Sequence, residues 1–157
     1  MRTRIALTAK EFRFLAAVRR QAAAGAHFRS RYNKPMYEFP YLWVALGSAA
    51  GGCLRFALGR WILVAAGDDF PYGTLAINLL GSFLIGLFAT RLTSVPLREL
   101  LMVGLCGGFT TFSSFSLETL RLLQRGLPAR AALYVGLSVA LCLAGTWAAH
   151  QIGERIR

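Results

Sequence analysis

Carboxylates and histidines are scarce in this chain: its 157 residues include seven Asp and Glu and two His, against eighteen Lys and Arg. No carboxylate pair falls inside an apolar segment, and His27 and His150 lie outside such segments or at their edge. A nucleophile–base–acid set therefore has nothing to be built from, which excludes hydrolytic and general acid–base chemistry. Cysteine is equally sparse. Cys53, Cys106 and Cys142 show no CxxC spacing and have no histidine beside them, so they read as small packing residues and not as a zinc or redox centre. The N-terminus also lacks the long apolar stretch of a secretory signal peptide.

Apolar residues are what the chain has in excess. They make up 55% of it, with a mean hydropathy of +0.48, too apolar for an ordinary soluble domain of this length. Four runs, at residues 42–65, 73–92, 100–123 and 131–151, are each long enough to cross a hydrocarbon core of about 30 Å. The connections are short and carry punctuation: Asp68, Asp69 and Pro71 in the first, Pro96 in the second, Gly126 and Pro128 in the third. The pattern predicts an all-α membrane protein, with residues 39–157 forming one four-helix domain and no separate catalytic domain.

The net charge of +11 is unevenly placed. Residues 1–38 hold nine Lys and Arg against Glu11 and Glu38, a net of +7; the remainder holds nine Arg against five acids, a net of +4. The excess belongs mostly to a basic extension, so it does not mark a nucleic-acid partner. Three readings of that extension stand open: a disordered cytosolic tail, an organellar transit peptide, or an upstream start with the functional protein beginning at Met36. Within the four-helix part, Arg91, Arg98, Arg155 and Arg157 lie on one side of the membrane, and Arg60, Arg121, Arg125 and Arg130 on the other. Orientation follows the Lys/Arg bias of short loops, so a balanced chain is expected to insert both ways and pair antiparallel. The basic extension would bias the N-terminus toward the cytoplasm.

The third run contains Gly107-Gly108-Phe109-Thr110-Thr111-Phe112-Ser113-Ser114-Phe115. Paired glycines and four hydroxyl residues make a poor helix interior, and lipid tolerates a broken helix only where the freed backbone groups meet protein, water or an ion. A break at mid-membrane depth points to ion handling, and the phenylalanine ring edges carry partial positive charge. The second run places Thr74, Asn78 and Ser82 on one helix face, readable as interhelical hydrogen bonding or as the wall of a polar track. Tyr134, Ser138, Cys142 and Thr146 form a slowly turning stripe in the fourth run. Arg55 lies deeper than the snorkelling Arg60 and has no acid in its run to pair with, which marks it as a candidate vestibule cation. Glu118, toward the end of the third run, reads equally as interfacial or functional. Gly47 and Gly51 form a GxxxG pair, and the glycines of the other runs suit close helix packing and oligomerisation.

Gly51-Gly52-Cys53-Leu54-Arg55-Phe56, Gly73 to Phe83 (GTLAINLLGSF) and the Gly107–Phe115 string together resemble the CrcB/Fluc fluoride channels over about residues 40–150. The resemblance implies a dual-topology antiparallel homodimer in the inner membrane, with two fluoride pores at the subunit interface. It implies a structural sodium ion at the dimer centre, held by the main-chain carbonyls of Gly107 and Thr110. It places Phe112, Phe115 and Asn78 on the fluoride path, with Thr74, Ser113, Ser114, Tyr134 and Ser138 along a polar track and Arg55 at the vestibule. Position 114 is Ser where that pattern often has Thr, and Cys142 stands where a further hydroxyl would fit. A small multidrug-type exporter, also four-helix and dual-topology, needs a membrane-embedded carboxylate where the first run here has Arg55. A non-transporting assembly subunit leaves the break in the third run unexplained.

Overall fold

The computed structural model describes residues 39–156; the basic extension at 1–38 lies outside the described residues. Helix α1 spans Pro40–Ala66, α2 Tyr72–Arg91, and α6 Pro128–Arg155. Between α2 and α6 the third span is built from four pieces: α3 (Val95–Arg98), a π-wound segment (Glu99–Cys106), α4 (Gly107–Phe109) and α5 (Phe112–Gln124). All four spans are long and apolar enough to cross a membrane, so this is an all-helical, multi-pass membrane protein.

Proline sets several starts. Pro40, Pro96 and Pro128 occupy the first turn of α1, α3 and α6, where a missing N–H removes no helical bond. Helix α1 stops at Gly67, whose φ of 76° suits a residue without Cβ and lets its N–H reach the Leu63 carbonyl at 2.9 Å. With 27 residues, α1 is about 40 Å long, more than the hydrocarbon core needs.

Glycine fixes how the spans meet. A Cβ at Gly47 would run into the Leu100 carbonyl and lie 2.8 Å from Leu105 N, so α1 rests directly on the backbone of the π-wound segment. Gly108 sits the same way on Ser48, and Gly86 of α2 on the backbone of Thr146 in α6. Thr146 Oγ1 secures the last contact by donating to the Ser82 carbonyl at 2.9 Å. Van der Waals packing of small residues, reinforced by such hydrogen bonds, is the usual basis of helix association in lipid. Only 11% to 22% of each span's most apolar stretch is buried within the chain, which leaves broad apolar faces for lipid or a second protein.

One feature of the third span differs from the sequence reading, and another sharpens it. The π winding over Glu99–Cys106 was not anticipated, and within the Gly107–Phe115 string the opening falls at the hydroxyl residues and not at the glycines. Gly107 and Gly108 remain helical, and the chain opens instead at Thr110 (φ −80°, ψ 157°) and Thr111 (φ −149°, ψ 114°). The physical reason is division of labour. Gly108 is needed small for its contact with Ser48, while β-branched threonine tolerates the extended backbone and brings a hydroxyl to close each helix end.

Candidate functional site

At the break, the end of α4 is closed by Thr110, whose N–H and Oγ1 both donate to the Cys106 carbonyl at 2.9 Å. Thr111 then caps α5. Its Oγ1 accepts from Ser114 N at 3.1 Å and lies 3.1 Å from both the Ser113 and Ser114 hydroxyls. This leaves the Thr111 N–H outside either helix. Asn78 of α2 takes it up, Oδ1 accepting from Thr111 N at 2.8 Å, while Nδ2 donates to the Thr111 carbonyl, the N-cap acceptor of α5, at 3.0 Å. The side-chain amide thus completes the backbone like an added strand. Approach this close needs a small neighbour, and at Gly81 a Cβ would collide with Thr110 Cγ2.

One consequence falls on two carbonyls. In a continuous helix the amides of Thr111 and Ser114 would point at Gly107 O and Thr110 O. Here they are turned to Asn78 Oδ1 and Thr111 Oγ1. Gly107 is exposed on the surface of the chain, and Thr110 is half-buried.

Below the break, Glu118 gathers a second cluster. Thr74 Oγ1 donates to its Oε1 and the Tyr134 phenol to its Oε2, each at 2.8 Å. Thr74 and Tyr134 are buried, with no exposed surface left on Tyr134. Phe115 packs against the Tyr134 ring at 5.2 Å between centroids and against Phe112 at 5.4 Å. The i, i+3 spacing does bring the two phenylalanines side by side, but in different surroundings: Phe115 is half-buried in the chain, whereas Phe112 is 79% exposed. Ser138, one turn beyond Tyr134, is buried with a hydroxyl that has no partner among the described residues.

Arg55 lines a cavity of about 710 Å³ together with Arg60, Arg121 and Arg125. Thr74, Thr111, Ser114 and Glu118 form part of the same wall. Most of the sequence-predicted residues thus fall into three groups: Asn78, Gly107, Thr110, Ser113 and Ser114 at the break; Thr74, Tyr134 and Phe115 around Glu118; Arg55 on the cavity wall; Phe112 is exposed beside Phe115, and Ser138 stands alone one turn from Tyr134. Thr146 belongs to none of these, being turned to the Ser82 and Cys142 carbonyls.

Two residues of the site were missed as site residues, Thr111 and Glu118. A signal existed. Thr111, Ser114, Phe115 and Glu118 follow the i, i+3, i+4, i+7 spacing of one helix face, so the carboxylate was aligned with the hydroxyls at the break.

A third span opened at paired threonines, rejoined by an asparagine from the second and lined with hydroxyl and aromatic side chains, defines a small four-span membrane protein built around one interrupted helix. The chain belongs to the CrcB-like protein, Camphor Resistance (CrcB) family, which it matches over residues 42–150. It is 44% identical over 123 residues to the fluoride-specific ion channel FluC of Methylocella silvestris, an alignment covering 74% of this chain and 94% of that one. Similarity to the proteins of the same name from Rhodospirillum rubrum and Paramagnetospirillum magneticum reaches 52% and 54% over 118 residues, in each case 70% of this chain and 91% of the relative.

Proposed function

We propose that this chain is a fluoride channel that lets the anion leave the cell passively across the inner membrane, working as an antiparallel homodimer with two pores at the interface. The name carried by its relatives supports the substrate, and the geometry of the break carries the mechanism. Because Asn78 satisfies the Thr111 backbone, hydrogen-bond donors can sit at mid-membrane depth without an orphaned peptide group. Fluoride is small and strongly hydrated, so a path must replace its water with donors. The Ser114 hydroxyl, the second Nδ2 hydrogen of Asn78 and the ring edges of Phe112 and Phe115 supply them, with Ser113, which gives its hydrogen to Thr111 Oγ1, beside them on the polar track. Phe112, exposed on one chain, is suited to a path shared with a second copy. Thr74, Tyr134 and Ser138 continue the polar track, and Arg55 raises the local anion concentration in the vestibule.

Gly107 and Thr110 fit a structural sodium ion. Their carbonyls are hard oxygen donors whose helical partners are engaged elsewhere, and a hard cation prefers such ligands to nitrogen or sulfur. Bound there, the ion would add a fixed positive charge near the dimer axis. In biological terms, hydrogen fluoride enters an acidified cell, dissociates, and the anion leaves through the channel down its gradient.

Proteoliposomes loaded with potassium fluoride, opened to potassium by valinomycin and followed with a fluoride electrode, test the reading. Rapid fluoride release with retention of chloride is expected. Release no faster than from protein-free liposomes refutes it.

A further inference from the structure

The α1–α2 connection is an extramembrane loop, yet it sends one aromatic ring inward. Phe70 is 9% exposed while its neighbours Asp68 and Asp69 are exposed. Its ring and that of Tyr134 form a T-shaped pair at 5.6 Å and 84°, and Tyr134 also packs against Phe115 at 5.2 Å. Phe112, Phe115, Tyr134 and Phe70 therefore form an unbroken aromatic row from the helix break to the loop. The loop end of that row is fixed from outside. Asp68 lies 4.0 Å from Arg125, in the connection between the third and fourth spans, and the Asp69 carbonyl accepts from Arg130, in the first turn of α6, at 3.3 Å.

We propose that Phe70 is a positioning residue for the conduction path: it locks the plane of the Tyr134 ring and so holds the phenol on Glu118. The inference rests on the fluoride-channel reading and extends it to a residue outside the spans. A T-shaped aromatic pair constrains ring orientation, and the hydroxyl sits at the far end of the ring, where a small tilt becomes a large displacement. Thr74 shares the same carboxylate, so movement of the phenol also changes what Glu118 offers on the cavity side. An aliphatic residue of similar bulk at position 70 would fill the space and leave the ring plane unset.

Single-channel fluoride current in planar bilayers tests this, because conductance per channel does not depend on how much protein folds. Phe70→Leu should lower the conductance by about two- to tenfold, the range an edge-to-face pair commands; where it fails to fold, Phe70→Met is read the same way. If Phe70 acts through the phenol, Phe70→Leu combined with Tyr134→Phe should fall no further than Tyr134→Phe alone, to within about twofold. Wild-type conductance in both Phe70 variants overturns the proposal, as does a double variant whose loss is the product of the two single losses. Absence of fluoride current in the wild-type protein overturns the channel reading itself and the inference with it.

Discussion

Truncating Asn78 to alanine removes both hydrogen bonds that hold the Thr111 peptide groups, one donated at 3.0 Å and one accepted at 2.8 Å. The donors and acceptors left behind are backbone groups in a buried setting, since Thr111 is 7% exposed. An unsatisfied buried donor costs about 1–3 kcal/mol, and the Thr111 carbonyl, which also starts the α5 ladder, loses only a second bond, so the truncation should cost roughly 1–4 kcal/mol. Such a loss is large against the marginal stability of a folded chain. Asn78→Asp separates the two contributions. The carboxylate still accepts from Thr111 N but cannot donate to Thr111 O, and its charge repels an anion. The alanine variant should therefore lose several degrees of thermal stability in detergent, measured by fluorescence-detected size exclusion, and the aspartate variant at least as much, because its second oxygen would face the Thr111 carbonyl oxygen. Both should lose most fluoride efflux in liposomes, the aspartate variant out of proportion to its stability. An alanine variant with wild-type melting and wild-type efflux would show that the Asn78–Thr111 pairing neither holds the break nor serves the path.

Other outcomes follow from the same geometry. Phe112→Ile and Phe115→Ile should each reduce fluoride efflux strongly, but only Phe115→Ile should also destabilise the protein, by about 1–2 kcal/mol, because Phe115 packs on Tyr134 and Phe112 is exposed; equal melting curves for the two would contradict this. Gly107→Ala should fold normally, as its Cβ would meet nothing within 4 Å, whereas Gly108→Ala would place a Cβ 2.5 Å from the Ser48 carbonyl oxygen and should reduce the yield of folded protein. Dimer function titrated with sodium against a larger organic cation should depend on sodium; indifference at every concentration counts against the central ion. A cysteine introduced between Gln124 and Arg130, in a background freed of Cys53, Cys106 and Cys142, should label to about half with an impermeant thiol reagent when the chain starts at Met36, as the balanced arginine count requires. Complete labelling or none removes dual topology.

The spans were readable because runs of about twenty predominantly apolar residues are a compositional fact that needs no tertiary information. Their ends were less so. Helix α6 begins at Pro128 and not at residue 131, since proline at the first helical position starts the turn before the apolar run does. The break was legible as a region, the Gly107–Phe115 string, but not to the residue. Which part opens depends on packing, since Gly108 is small to suit Ser48, a contact with α1 that local sequence cannot express. The π winding has the same origin, lying where Gly47 and Gly104 bring two backbones together. Asn78, Thr74 and Tyr134 were found as polar residues in apolar runs. Their pairing was not: spacing along α5 aligns Glu118 with the hydroxyls of the break, but its bonds to Thr74 and Tyr134 join α2, α5 and α6 and leave no pattern in the chain.

The hydrogen-bond pattern also ranks the donors. Thr74 and Tyr134 already give their hydroxyl hydrogens to Glu118, so an anion reaching them must compete with a carboxylate in their ground state. Ser114 is different: its oxygen accepts from Thr111 Oγ1, which leaves its own hydrogen free. Asn78 has spent one Nδ2 hydrogen on Thr111 O and keeps the other. Near the break, donors are therefore ready, while around Glu118 they are held and can be released only by a better acceptor. Fluoride is the strongest hydrogen-bond acceptor among the halides and the smallest. A site that makes an anion displace a carboxylate from two hydroxyls favours it over chloride for energetic as well as steric reasons. On the fluoride-channel reading proposed above, the Glu118 cluster would then favour fluoride over chloride, while Ser114, Asn78 and the phenylalanine edges would serve its passage, two tasks divided along one interrupted helix.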